Sequence, residues 1–374
     1  MSAPRWFAPP KRVVVKVGSS SLRAESGRLD GRLVADLCAQ IAALRARSVE
    51  VVLVSSGAVA CGFGPLGLPR RPTNLPWLQA AASVGQVILM HTYQASFALH
   101  ALVCGQILLT PSDVVDRARY LNARNTFDTL LDFGAVPVVN ENDTVVTDEL
   151  RFGDNDRLAA LVASMLGADL LVLLSDVEGL LDGDPRRSDD LPVVERVDDL
   201  GMLGDHHYGE PSELGSGGMA TKLEAARIVT FSGAHAVIAN ARRPDVIPDV
   251  VGGAHIGTWF PPARKRPSRR KLWIAFAPIP HGAVIVDQGA VRALVERGSS
   301  LLAAGVVDAV GDFEAGDAVD VVGPDDRVVA RGLVAYCRDD VLRARGQSTK
   351  LLSVQLGPAY RRAVIHRDSL VVTA

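Results

Sequence analysis

A chain of 374 residues, 48% hydrophobic and 22% charged, has the makeup of a globular protein long enough for two cores. A formal net charge of −2 gives no global electrostatic case for nucleic acid or an anionic membrane as partner. The four cysteines, Cys38, Cys61, Cys104 and Cys337, are scattered and lack metal-ligand spacing, the absence of an apolar run of about 18 residues argues against a membrane span, and the start MSAPRWFAPPKR has no signal-peptide core. The expectation is a reduced, cytoplasmic protein.

Residues 1–10 hold three prolines and read as a loose tail. The β-branched run RVVVKV at 12–17 predicts a strand that exits into Gly18-Ser19-Ser20-Ser21. A strand ending in a Gly/Ser turn offers backbone N–H groups to an anion, and Lys16 adds a charge beside them. Asp30 can cap a helix over 32–47, and EVVLV at 50–54 is a second strand ending in Ser55-Ser56-Gly57-Ala58. Strand, small polar turn and helix have now repeated, the pattern of βαβ units and a mostly parallel sheet.

A Gly/Pro-rich loop at 64–76 precedes a broad apolar helix at 78–99, a strand at 103–109 and a charged helix running through Asn125. The stretch AVPVVNENDTVVTDELRFGDNDRLAALVASML at 135–166 then supplies a short strand, two Asn/Asp clusters and an apolar-periodic helix. In open α/β sheets, ligands lie beyond the carboxyl ends of strands, where such clusters can take an ammonium and polar groups. They can also serve as turns and caps.

A strand at 170–174 runs to Ser175-Asp176, and residues 182–190 form a loop. Gly215-Ser216-Gly217-Gly218-Met219-Ala220-Thr221-Lys222 opens a helix over 223–231. Its glycines permit close backbone approach to a phosphate, and a helix start favours anions. Neither a Walker A motif nor a GxGxxG after a strand is present. His235–Ala239 is a last strand. Residues 261–280 carry five prolines and six Lys/Arg with no acid, a linker by composition. Short β runs at 283–286, 318–322 and 328–334, with helices near 290–297 and 339–345, predict a small, mainly-β second domain.

Two lysines, a Gly-rich cradle and carboxylates, without a Ser-His-Asp set or a metal-ligand cluster, suit phosphoryl transfer, which needs positioning and charge neutralisation. The adjacent His206 and His207 read as solvated loop residues.

The motifs VVVKVGSSSL, VVLVSSGAVACG, AASVGQ, PVVNENDTV, FGDNDRLAALVA, LLSDVEGL and GSGGMATKLEAA resemble those of the amino acid kinase family, and their combination resembles its glutamate 5-kinase branch. HGAVIVDQGAVRALVERGSSLLAAGV and GDFEAGDAV resemble a PUA domain. The resemblance covers about residues 11–370. It implies a three-layer αβα sandwich with a mostly parallel sheet (residues 11–260) and a small mainly-β PUA domain (281–374). It further implies ATP with Mg2+ as phosphoryl donor, L-glutamate as acceptor, the first step of proline biosynthesis, proline as feedback inhibitor, and a homo-oligomer.

By resemblance, Lys16 contacts the phosphates and, with Lys222, is catalytic. Ser56 holds the substrate, Asp143 takes the glutamate ammonium, and Asn155 completes the amino-acid pocket. Ser175 and Asp176 contact the nucleotide, and Ser216, Gly217, Gly218, Met219, Ala220, Thr221 and Lys222 wrap ATP. Ser216 stands where many relatives have threonine, which keeps the hydroxyl. No protein metal ligand is expected. Two rival readings are weaker. RNA binding through the second domain is disfavoured by eight Lys/Arg against eleven Asp/Glu over 281–360, which lacks the basic footprint of such binders. Aspartokinases, N-acetylglutamate kinases and uridylate kinases share the architecture, but the NEND and GDND pair argues against them.

Overall fold

The computed structural model describes residues 5–24, 27–68, 72–146, 155–183, 191–200, 218–263, 267–276, 278, 280–348, 354 and 357–373. They form two compact units that divide after residue 266.

The first unit is built on a seven-stranded sheet. In chain order its elements are β1 (Arg12–Val17), α1 (Gly31–Ala46), β2 (Glu50–Ser55), α2 (Ala58–Gly62), α3 (Leu75–Ala98), β3 (Cys104–Leu109), α4 (Pro111–Val115), α5 (Arg117–Asp132), β4 (Val136–Glu141), α6 (Asn155–Leu166), β5 (Leu170–Ser175), α7 (Met219–Phe231), β6 (His235–Asn240), α8 (Val246–Val251) and β7 (Thr258–Phe260). The strand order is β3-β4-β2-β1-β5-β6-β7. Every pairing is parallel except that of β6 with β7.

Helices α1, α3 and α8 pack together over one face, and α5, α6 and α7 over the other. The expected αβα sandwich with a mostly parallel sheet is therefore present. Strands covered on both faces read as continuous apolar runs. Val13, Val14, Val15 and Val17 of β1 are all buried, as are all six residues of β5.

That burial decides the fate of Lys16. A lysine on an edge strand would keep its ammonium in water, but β1 lies at the middle of the sheet between β2 and β5. Lys16 sits one residue before the strand's carboxyl end and is 2% exposed.

Glycines set a second feature. Helices α2 and α3 meet at backbone contact: a Cβ on Gly62 would lie 1.9 Å from the Ala81 carbonyl oxygen, and one on Gly85 would lie 1.8 Å from that of Ala58. Only hydrogen side chains allow this approach, which brings α3 up against the turn after β2.

The second unit holds α9 (Arg269–Phe276), β8 (Gly282–Val286), α10 (Gln288–Val295), β9 (Val306–Gly311), β10 (Ala318–Val322), β11 (Val328–Leu333), α11 (Arg338–Ala344) and β12 (Leu370–Val372). Its five strands are ordered β12-β11-β10-β8-β9. Within the stretch that composition marks as linker, residues 269–276 form a helix. Leu272, Ile274, Ala275 and Phe276 bury themselves as α9 packs on β11 and β12. The prolines and cations mask this short apolar face. No helix among the described residues is long and apolar enough to cross a membrane.

Candidate active site

The expected site residues that are described converge on the carboxyl ends of β1, β2, β4 and β5, the edge at which open α/β sheets bind ligands. Its centre is a carboxylate between two ammonium groups. Asp156, in the first turn of α6, is fully buried. Its Oδ1 lies 2.5 Å from Lys16 Nζ and its Oδ2 3.1 Å from Lys222 Nζ. Lys222 enters from the first turn of α7 and is 8% exposed.

Thr221 binds this group into the helix start. Its hydroxyl oxygen accepts from the Gly218 N–H at 3.2 Å, and its proton has Asp156 Oδ2 at 3.0 Å and the Gly218 carbonyl at 2.8 Å within reach. Residues 206 positions apart in sequence thus share one carboxylate.

Two ammonium groups, those of Lys16 and Lys222, are gathered in a buried setting, which suits an incoming anion. The amino end of the thirteen-residue helix α7 contributes partial positive charge in the same place.

One strand over lies a polar amide cluster. Asn155, the residue before Asp156, turns its Nδ2 inward to the Ser55 carbonyl (2.8 Å), Asn140 Oδ1 (2.8 Å) and Ser56 Oγ (3.0 Å). Asn140, on β4, passes the network to α3 through its Nδ2, which donates to Gln86 Oε1 at 2.9 Å. The turn after β2 is held by Tyr93, whose hydroxyl lies 2.8 Å from Ser55 Oγ; burial pushes the Tyr93 phenol above its usual range. Gly57 takes a left-handed φ of 101° at this turn, a conformation that disfavours residues with a Cβ.

Beyond the amides opens a cleft of about 210 Å3 lined by Ser83, Gln86, Gln106, Glu141, Asn142 and Asp143, among others. Among the described residues its lining carries two carboxylates and no lysine or arginine, which suits a ligand that presents a cation.

Ser56, Asn155 and Asp143 are thus brought to one side of the lysine–carboxylate cluster. On the other side Ser175 ends β5, with its hydroxyl donating to Asp176 Oδ1 at 3.1 Å. Gly218, Met219 and Ala220 form the start of α7. Ser216 and Gly217, with His206 and His207, lie outside the described residues. Three residues carry no role of their own in the sequence reading: Asn140 and Asp156, which fall within the two Asn/Asp clusters, and Gln86. Asp156 reads as part of a helix-capping GDND cluster, whereas its carboxylate faces two lysines. The signal available was an acid opening an otherwise apolar helix in a chain with two lysines at strand and helix ends. Gln86 closes the motif AASVGQ on an apolar helix, with no role attached to it.

A model of the amino acid kinase family matches residues 11–240. This chain belongs to the amino acid kinase family. The lysine pair and the αβα sandwich as far as β6 lie within the matched segment, and a PUA domain model matches residues 282–354, within the second unit. Among curated relatives of this kinase, it is similar to the glutamate 5-kinase of Streptomyces coelicolor, at 50% identity over 97% of this chain and 96% of that one. It matches the glutamate 5-kinase of Salinispora arenicola at 50% identity over 97% of this chain and 98% of that one. Among solved structures, carbamate kinase from Giardia lamblia bound to AMP-PNP aligns with a TM-score of 0.51 and 18% identity, covering 68% of this chain and 99% of that one; this shares the fold.

Proposed function

We propose that this kinase transfers the γ-phosphoryl group of ATP to the side-chain carboxylate of L-glutamate. The observation that carries the reading is the Lys16–Asp156–Lys222 cluster, two ammonium groups held on one buried carboxylate, set one strand from an acidic cleft. Glutamate 5-kinase relatives at 50% identity over nearly the whole chain support the choice of acceptor.

The chemistry is economical in protein groups. A glutamate carboxylate has an ordinary pKa near ~4.3 and is ionised at neutral pH, so it attacks the γ-phosphorus without a general base. One carboxylate oxygen forms the new P–O bond while the bond to the β,γ-bridging oxygen breaks, and ADP leaves with the electron pair. The protein's share is to hold the reactants in line and to neutralise charge as it builds on the transferring group. Lys16 and Lys222 approach those oxygens from two elements, and Asp156 fixes both ammonium groups. Ser175, Asp176 and the sequence from Ser216 to Thr221 hold the nucleotide. Magnesium carried with ATP would add to the neutralisation of charge on the phosphates.

At the other end, Asp143 takes the ammonium, while Ser56 and Asn155 line the path between cleft and lysines. β4, β2 and β1 are adjacent strands, and two strand spacings amount to roughly 10 Å, a distance that an extended amino acid and a phosphoryl group span together. On this reading the acyl phosphate is the first intermediate of proline biosynthesis in the cytoplasm. Proline carries the same ammonium and α-carboxylate and acts as feedback inhibitor at the same pocket. Trp77, Val87, Leu99 and Val103, large apolar residues left exposed on and beside α3, support a homo-oligomer; a monomeric mass in light scattering at working concentration would overturn that part.

The test of the chemistry is trapping. An acyl phosphate reacts with hydroxylamine to give a hydroxamate, so ATP, L-glutamate and hydroxylamine should yield glutamyl hydroxamate in step with ADP. ADP release without hydroxamate would exclude a carboxylate acceptor.

A further inference from the structure

We propose that Gln86 is a substrate-binding residue that determines specificity, its side-chain N–H groups donating to the α-carboxylate of the amino acid whose ammonium Asp143 takes. This rests on the glutamate reading above.

The orientation of three amides follows from two backbone groups. A carbonyl only accepts and an N–H only donates. The Asn155 atom 2.8 Å from the Ser55 carbonyl is therefore its nitrogen. The Asn140 atom that meets the Glu141 N–H at 2.9 Å is its oxygen, and that same oxygen accepts from Asn155. Asn140 must then present its nitrogen to α3, and the Gln86 atom 2.9 Å away is Oε1. No flip of any of the three is compatible with both backbone groups.

The relay has two outward ends. Asn155 Oδ1 accepts nothing among the described residues and is left as an acceptor. Gln86 has spent Oε1 on Asn140, which leaves Nε2 and its two donors as the end of the amide that faces the cleft it lines. Glu141 and Asp143 in that cleft supply negative charge for a cation. An α-amino acid carries its carboxylate on the same carbon as the ammonium, so an amino acid bound at Asp143 needs a donor close by. Neither lysine lines the cleft, and Gln86 Nε2 supplies a donor there. The backbone contact between α2 and α3 at Gly62 and Gly85 fixes the height of the neighbouring Gln86 above the cleft.

Gln86→Glu tests this directly. It keeps an oxygen for Asn140, and so the relay, but replaces the donor by a carboxylate oxygen. L-glutamate is compared with 4-aminobutyrate, which has the ammonium and the distal carboxylate but no α-carboxylate. In steady-state ADP-release assays, KM for L-glutamate should rise about 30-fold, the scale of one lost charged hydrogen bond. KM for ATP and kcat should stay within about threefold. The inhibition constant of 4-aminobutyrate against L-glutamate should not weaken, so the preference for glutamate over it falls at least about tenfold. Should the glutamate variant not fold, Gln86→Met, which has similar length and no donor, carries the same expectation for that ratio. An unchanged KM for L-glutamate, or equal weakening of both ligands, overturns the assignment. Wild-type protein that releases no ADP with L-glutamate overturns the functional reading first, a result visible before any variant is made.

Discussion

Replacing Asp156 by asparagine separates the two tasks that its carboxylate performs. In the wild-type fold it sits at hydrogen-bond distance from Lys16 and Lys222 with no exposure. Unit charges about 4 Å apart interact by about 4 kcal/mol at an effective dielectric constant near 20. Removing one member of a buried ion pair costs about 3–5 kcal/mol after relaxation. Asparagine also turns an N–H donor toward one of the ammonium groups, so the melting temperature should drop by about 10 °C. Neither lysine is then held in place, and kcat should fall by about 10²- to 10³-fold. The variant site carries one negative charge fewer. Affinity for ATP should therefore be kept or improved, and ATP should raise the variant's melting temperature more than the wild type's. Steady-state ADP release and thermal melts with and without ATP read all three. A variant with kcat within threefold of wild type, or with a strongly raised KM for ATP, would refute the view that Asp156 positions the lysines.

Lys222→Ala should lower kcat by about 10²- to 10³-fold, the loss expected for one preorganised electrostatic contact; an unchanged kcat removes it from the mechanism. Asp143→Asn should weaken L-glutamate by about 1.5–3 kcal/mol with ATP binding intact, read from the two KM values; a loss confined to ATP would reverse the pocket assignment. Gly85→Ala forces a Cβ onto the Ala58 carbonyl and should cost about 1–3 kcal/mol of stability in denaturant melts, while an unperturbed midpoint would show that α2 moves aside freely. Acid should act through His235: burial lowers its pKa, and its Nδ1 accepts from the Trp259 indole N–H at 3.1 Å while Phe7 stacks on the ring. The unfolded chain takes up a proton below about pH 6.5 before the folded one does, so stability is full above that pH and declines as pH falls through it. His235→Phe should flatten this part of the melting profile; an identical slope in the variant would acquit the histidine.

Much of the architecture was legible because local chemistry and tertiary fate agreed. Continuous apolar runs such as LLVLL became fully buried parallel strands, and Asp30 caps α1 by accepting from the Leu33 N–H as its position suggested. The sequence could not show which strand is central. Lys16 between valines fits an edge as well as a middle strand, and only the order of β2, β1 and β5 settles it. Asp156 was hidden for a related reason. Its meaning comes from Lys222, 66 residues away, and locally an acid in a first helical turn looks like a cap. Short elements with mixed composition were also lost: α9 lies within a Pro- and Arg-rich stretch, and β7 is three residues long. Gln86 closes the motif AASVGQ, but a role for it came only with its bond to Asn140.

The central claim is most directly tested by offering the purified full chain ATP with L-glutamate, L-aspartate, N-acetylglutamate or UMP, and measuring ADP release. Turnover with L-glutamate and background rates with the other three are predicted. Turnover confined to any of those three, or none with L-glutamate, would contradict the account.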